Sequence, residues 1–236
     1  MPLSQLDDVN PEPPTFIVEL RKQSTASMVI SKQQLVKWLE RFTTVLEENK
    51  DYLTELDAAI GDADHGINMV RGFQKVTAEL PTVAQQDIGS ILKMVSMTLI
   101  STVGGASGPL YGTLFLRAST AVANKQELTE QDVLQMLQAG LEGISKRGQA
   151  QPGDKTMVDA LAPAVAAFEQ AIIVENKPLP VAVQQAVAAA EQGMKNTVPM
   201  VAKKGRASYL GQRSAGHQDP GATSCYLMLK SLWESI

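Results

Sequence analysis

The chain is poor in the features that usually narrow a protein's class. Cys225 is the only cysteine, so no intrachain disulfide can form and nothing points to an oxidising compartment. Aromatic residues make up 5%, while Leu, Ala, Val, Met and Gln dominate, a balance that suits helices better than sandwiches. No apolar run reaches the roughly 18 residues a membrane helix needs. The most apolar segment, 88–103, still contains Lys93 and several hydroxyls. Asp7 and Asp8 stand where a signal peptide would carry positive charge, so a cytoplasmic location is expected. A net charge of −4 argues against a general nucleic-acid binder. The one basic tract is Lys195, Lys203, Lys204, Arg206 and Arg213, of which Lys203 and Lys204 read as a solvated face.

What remains is enough for one large domain: 44% of the 236 residues are hydrophobic and 19% charged. Residues 1–28, with Pro2, Pro11, Pro13 and Pro14, read as an extension prone to disorder, in which Thr15–Leu20 could be a short strand or docking segment. From 29 to 236 helical periods follow one another. Ser31 and Gln34 form a capping-box signature ahead of Leu35, Trp38, Leu39, Phe42, Val45 and Leu46. Leu53, Leu56 and Ile60 mark a second helix, and a third is predicted over 66–80, stopping before Pro81. Further helices are predicted over about 87–103, 108–124, from the cap Thr129 to Gly148 as the closing glycine cap, through Met157–Ile172, over 180–198 and from 220. No strand is expected in the folded region. Eight or nine amphipathic helices with short connections imply an all-α, up-and-down antiparallel bundle or barrel.

The most informative stretch is Asp57–Asn68, where three carboxylates, a histidine and an amide straddle a helix end and a helix start. Asp62 and Asp64 are two apart, so an extended path would point both the same way, and a turn at Gly61 would bring Asp57 to meet them. Like charges that close repel unless a cation neutralises them, and hard oxygen ligands select Mg²⁺ or Ca²⁺. Helix capping would account for one of the three aspartates. A calcium EF-hand fails on register, with Ile67 and Phe73 where glycine and glutamate are required.

Three further segments carry candidate chemistry. Gly104–Gly112, with Ser107, joins two helices through small residues that either admit a phosphate close to the backbone or pack helices tightly through Gly108 and Gly112. Gly148–Thr156 imitates a Walker A loop, but Asp154 is inserted ahead of Lys155 and a helix precedes it, so it is not a P-loop. The tract 203–223 is irregular and rich in donors, with Arg206 and His217 set among glycines; an arginine on such a lid can steady phosphoryl charge.

Gly61-Asp-Ala-Asp-His-Gly66, Gly104-Gly-Ala-Ser-Gly-Pro109, Pro152-Gly-Asp-Lys-Thr156, Lys204-Gly-Arg-Ala-Ser-Tyr-Leu-Gly211 and Gly216-His-Gln-Asp-Pro-Gly-Ala-Thr-Ser224 together resemble the nucleotide-binding L subunits of phosphoenolpyruvate-dependent dihydroxyacetone kinases, in order, over about 29–236. The resemblance implies a barrel of eight antiparallel helices holding ADP and two Mg²⁺ at one end. It implies metal ligation by Asp57, Asp62 and Asp64, and nucleotide contacts from His65, Gly66, Ile67, Asn68, Ala106, Ser107, Gly148, Met157, Arg206, Asp219, Pro220 and Gly221, with Arg206 also in the catalytic role. It further implies a phosphohistidine-bearing M subunit that recharges bound ADP to ATP and a K subunit that carries dihydroxyacetone, with no nucleic acid and no membrane involved. A homodimer is compatible with the sequence. The rivals are the similar domain of ATP-dependent dihydroxyacetone kinases, which tends to carry Cys where His65 stands, a non-catalytic helical adaptor with a structural cation, and a metal phosphatase.

Overall fold

A computed structural model describes residues 28–236, and the Thr15–Leu20 segment lies outside the described residues. Nine α-helices are present among them: α1 (Lys32–Glu48), α2 (Lys50–Ile60), α3 (His65–Val83), α4 (Ile88–Thr102), α5 (Ser107–Ala121), α6 (Glu130–Gly148), α7 (Val158–Glu169), α8 (Leu179–Asn196) and α9 (Pro220–Trp233). A π-helical turn, Gln170–Val174, extends α7, and a 3₁₀ run, Arg206–Ser214, lies between α8 and α9. No helix among the described residues is long and apolar enough to cross a membrane.

The helices close a ring. Each of α3 to α8 packs on its successor, and α9 returns to pack on α1, which also meets α3. Helix α2 rests on the same two neighbours as α1, α3 and α9, so α1 and α2 make one wall broken at Asn49. Counted as walls, the barrel therefore has the eight expected. The capping signatures are realised: Ser31 and Gln34 exchange bonds at the start of α1, and Thr129 and Asp132 do so at the start of α6.

The interior is filled by the predicted stripes, including Leu35, Leu39, Phe42, Met69, Phe73, Phe115, Leu161 and Leu229. Phe42 meets Phe73 edge to face at 4.6 Å, Phe73 meets Phe115 at 6.1 Å, and Trp38 donates its indole N–H to the Met228 carbonyl at 3.0 Å. These contacts tie α1, α3, α5 and α9 across the barrel.

Three expectations are corrected. Helix α3 runs through Pro81 to Val83, because a proline in the last turn forfeits a single bond and the helix ends two residues later. Gly148 does not form the left-handed cap of α6; Gln149 does, at φ 47. A two-stranded antiparallel pair, Ile30–Ser31 with Glu127–Leu128, joins the chain's entry to the α5–α6 connection at a length too short to leave a sequence period.

Candidate functional site

Up-and-down connectivity puts alternate loops at one end of the barrel. The α2–α3, α4–α5, α6–α7 and α8–α9 loops therefore share a rim, and α3, α5, α7 and α9 all begin there. Each helix start presents unpaired N–H groups and the positive end of its dipole, so the rim is suited to an anion with several charges. A cleft of about 260 Å³ opens between these four loops.

The acidic loop is built around Asp57, which is buried in the last turn of α2. Its Oδ2 accepts the backbone N–H groups of Asp64 (2.8 Å) and His65 (3.1 Å), capping α3 from a neighbouring helix. Gly61 makes room for this, since a Cβ there would lie 2.0 Å from Asp57 Oδ1. Asp64 occupies the cap position of α3 without making a side-chain cap bond, so capping does not consume Asp62 or Asp64. One carboxylate oxygen from each of Asp57, Asp62 and Asp64 falls within 4.8 Å of the others. Three hard oxygen donors at that spacing fit a divalent cation of the magnesium type. The path between Asp62 and Asp64 is not extended as expected: Ala63 is left-handed at φ 63, because only 61–64 separate the two helices and the chain must reverse tightly. Arg206 Nε reaches Asp62 Oδ2 at 3.0 Å from the opposite side of the cleft.

His65 is buried at the start of α3 and clasps two other walls. One ring nitrogen meets Ser107 Oγ on α5 at 3.0 Å, and the other meets Ser224 Oγ on α9 at 2.9 Å. Tyr111 OH completes the chain at 2.7 Å from Ser224. Burial lowers the His65 pKa to about 4, against the smaller pull of Asp57 and Asp64, so the imidazole is neutral.

On the α9 side, the Asp219 carboxylate caps the helix by accepting the Ala222 N–H at 2.7 Å, and its own backbone N–H donates to Thr197 Oγ1 at 3.0 Å. Burial raises its carboxyl to about 7, opposed by the Ala222 amide and Lys155. On the α7 side, Asp159 accepts the N–H groups of Gly153 (2.6 Å) and Thr156 (2.8 Å), folding the α6–α7 loop back onto its helix.

The structure brings Asp57, Asp62, Asp64, His65, Ala106, Ser107, Gly148, Met157, Arg206, Asp219, Pro220 and Gly221 around this one cleft. Gly66, Ile67 and Asn68 lie in the first turn of α3 outside its lining. There Gly66 backs onto the Lys50 carbonyl, Ile67 is exposed, and Asn68 holds Arg71 at 2.7 Å beside Gly104. Gly108 and Gly112 serve packing, since a Cβ at either would lie within 2.3 Å of Val103 or Ile100. Gly105, at φ 63 with open space before it, is the glycine that shapes the loop. Lys203 pairs with Asp154 at 3.5 Å, and Lys204 joins the cleft wall. His217 contributes its carbonyl to Lys155 rather than its ring to the cleft. Sequence reasoning missed Tyr111, Ser224, Asp159 and Thr197. A four-residue spacing from Ser107 to Tyr111, one face of a helix, was the available signal.

An eight-walled helical barrel with an acidic, glycine-rimmed mouth defines a class, and residues 59–234 match the DAK2 domain model. The chain is 51% identical over 205 residues to the PEP-dependent dihydroxyacetone kinase ADP-binding subunit DhaL of Escherichia coli, covering 87% of this chain and 97% of that subunit. It is 40% identical to the corresponding PTS-dependent subunit of Lactococcus lactis, over 85% of this chain and 96% of that one. The chain belongs to the family of ADP-binding subunits of dihydroxyacetone kinases. It also aligns at 32% identity with the L-erythrulose 1-kinase of Mycolicibacterium smegmatis, where it spans 36% of the longer protein. The fold is shared with the dihydroxyacetone kinase of C. freundii, at a TM-score of 0.66 and 23% identity, covering all of this chain and 39% of that one.

Proposed function

We propose that residues 29–236 form one nucleotide-binding domain whose cleft holds ADP with two Mg²⁺ ions and relays a phosphoryl group to dihydroxyacetone on a partner subunit. The observation that carries this reading is the convergence of four helix starts on a cleft where three carboxylates lie within 4.8 Å of one another. The E. coli and L. lactis relatives bear the ADP-binding name over nearly their whole length, which supports the same ligand here.

In this reading Asp57, Asp62 and Asp64 hold the magnesium, which when bound neutralises polyphosphate charge. The chain's own residues then do the positioning. Backbone N–H groups of Ala106, Ser107 and Gly221 at the starts of α5 and α9 donate to phosphate oxygens, Pro220 packs beside them, and the first turn of α3, His65–Asn68, turns its positive dipole end toward the same charge. Gly148, Met157 and their apolar neighbours Leu110 and Ile144 flank the nucleoside. Neutral His65 holds α3, α5 and α9 in register through its two serines. Arg206 supplies a guanidinium from the lid to the transferring group, the one catalytic role assigned here.

The donor is a phosphohistidine on an M-type subunit: its phosphoryl passes to the β-phosphate of ADP, giving ATP. The acceptor is a hydroxyl of dihydroxyacetone carried by a K-type subunit, giving dihydroxyacetone phosphate and regenerating ADP. Those partners imply a cytoplasmic location.

Denaturing freshly purified protein tests the reading directly. ADP should be released in near-equimolar amount, and before denaturation it should become ATP only on adding phosphorylated M-type partner. Phosphorylation by free substrate without any partner would instead select an ATP-dependent kinase domain, and no nucleotide an adaptor. Asp62→Asn should lose magnesium-dependent ADP retention while keeping wild-type helicity; undiminished retention would refute the ligand assignment.

A further inference from the structure

Lys155 looks like the lysine of a phosphate loop and points elsewhere. It is 1% exposed, and its Nζ donates to the backbone carbonyls of Thr197 (2.9 Å), Met200 (3.1 Å) and Ser214 (2.8 Å), and to that of His217. An ammonium has three protons and no lone pair, so four acceptors leave nothing to offer a ligand. No ion pair to Lys155 is present among the described residues; the charge it feels most is Asp219, and burial lowers its pKa.

All four carbonyls belong to the α8–α9 loop, which carries Arg206 and ends at Asp219. That loop of over twenty residues runs in 3₁₀ and irregular conformation. Its other ties lie near its ends or at its surface: Gly216 N–H to the Val198 carbonyl (2.7 Å), Ala202 N–H to Ser214 Oγ (2.8 Å), Asp219 N–H to Thr197 Oγ1 (3.0 Å), Lys203 to Asp154, Gln218 to Tyr52 (3.1 Å), and the exposed Arg206–Asp62 pair (3.0 Å). A ring of carbonyls around one positive charge is how proteins hold an alkali-metal or ammonium ion, and here the ion is attached to the chain. The backbone accommodates the attachment, with Lys155 itself left-handed at φ 62 and Gly153, two residues earlier, at φ 93.

We infer that Lys155 is a positioning residue for the cleft: a tethered cation that gathers the α8–α9 loop and thereby sets Arg206 and the Asp219–Gly221 turn against the site. Its consequence for ligand binding rests on the nucleotide reading above, whereas its consequence for the loop does not.

The test is Lys155→Ala in the full chain, read by amide hydrogen exchange and by ADP dissociation. Exchange over 197–217 should rise about tenfold or more, as losing even one charge-assisted hydrogen bond would produce, while α4 and α5 amides keep wild-type protection. ADP should dissociate faster by a similar factor. Added ammonium or potassium ion, which fits the vacated ring, should restore both in part, and tetramethylammonium, equal in charge but without donors, should not. Unchanged exchange over 197–217, or a loosened loop that ammonium and potassium leave loose, overturns the inference. If Lys155→Ala does not fold, Lys155→Gln replaces it, keeping two donors without the charge; intermediate protection is expected, and wild-type protection overturns the inference. A wild-type protein that holds no ADP would sink the nucleotide reading while leaving the exchange result to judge Lys155.

Discussion

At the scale of single residues, His65 and Asp219 are both displaced by burial and in opposite senses for stability. The His65 pKa falls from 6.5 to about 4, so between those values the unfolded chain binds the extra proton and stability rises with pH. Asp219 rises from 3.8 to about 7, so over that range the folded chain binds it and stability falls as pH rises. Each slope is at most about 1.4 kcal/mol per pH unit, and from pH 4 to 6.5 the two offset. Asp219→Asn in nucleotide-free protein should therefore unmask a rise in stability from pH 4 to 6.5, and His65→Gln should unmask a fall. Urea melts across that range measure it, and two parallel profiles would show that neither group is displaced by its burial.

At the scale of the element, the close approach of α7 and α8 is set by one glycine. Pro163 lies inside α7 and cannot bond the Asp159 carbonyl one turn back, and Gly193 of α8 packs over that point. A Cβ on Gly193 would lie 2.1 Å from the Asp159 carbonyl oxygen and 2.9 Å from Pro163 Cγ. Since backbone cannot yield as a side-chain tip can, Gly193→Ala should cost about 1–3 kcal/mol. It should also weaken ADP retention, because Asp159 folds the α6–α7 loop. A melting temperature within a degree of wild type would contradict the packing argument. The helices themselves were legible because Leu35, Trp38, Leu39 and Phe42, like Val133 and Ile144, fall on one stripe each and are buried together. The separate helix α2 was legible from its own period, Leu53, Leu56 and Ile60, although no glycine or proline marks the break at Asn49. The reach of α3 through Pro81 was not legible, because two residues decide between a stop and a last turn.

At the scale of the whole molecule, the sequence motifs named the rim but not its wiring. The acidic cluster could be read from Asp57, Asp62 and Asp64 because local spacing confines it, and the DAK2 relationship followed from several such motifs in order. Lys155 could not be read, because the carbonyls it gathers lie 42 to 62 residues further along the chain. The Tyr111–Ser224 link spans 113 residues for the same reason. Only closure of the barrel brings such groups together, and closure is also what turns four separate helix starts into the rim of one cleft.

The proposed relay requires metal and nucleotide to bind together in that cleft. Calorimetric titration of ADP into nucleotide-free protein, with magnesium and again with a chelator, tests it most directly. One ADP per chain with magnesium, weakened about a hundredfold or more without it, is the predicted result, since the loss of a cation between three carboxylates and a diphosphate costs several kcal/mol. Equal affinity in both titrations, or no binding in either, would contradict it.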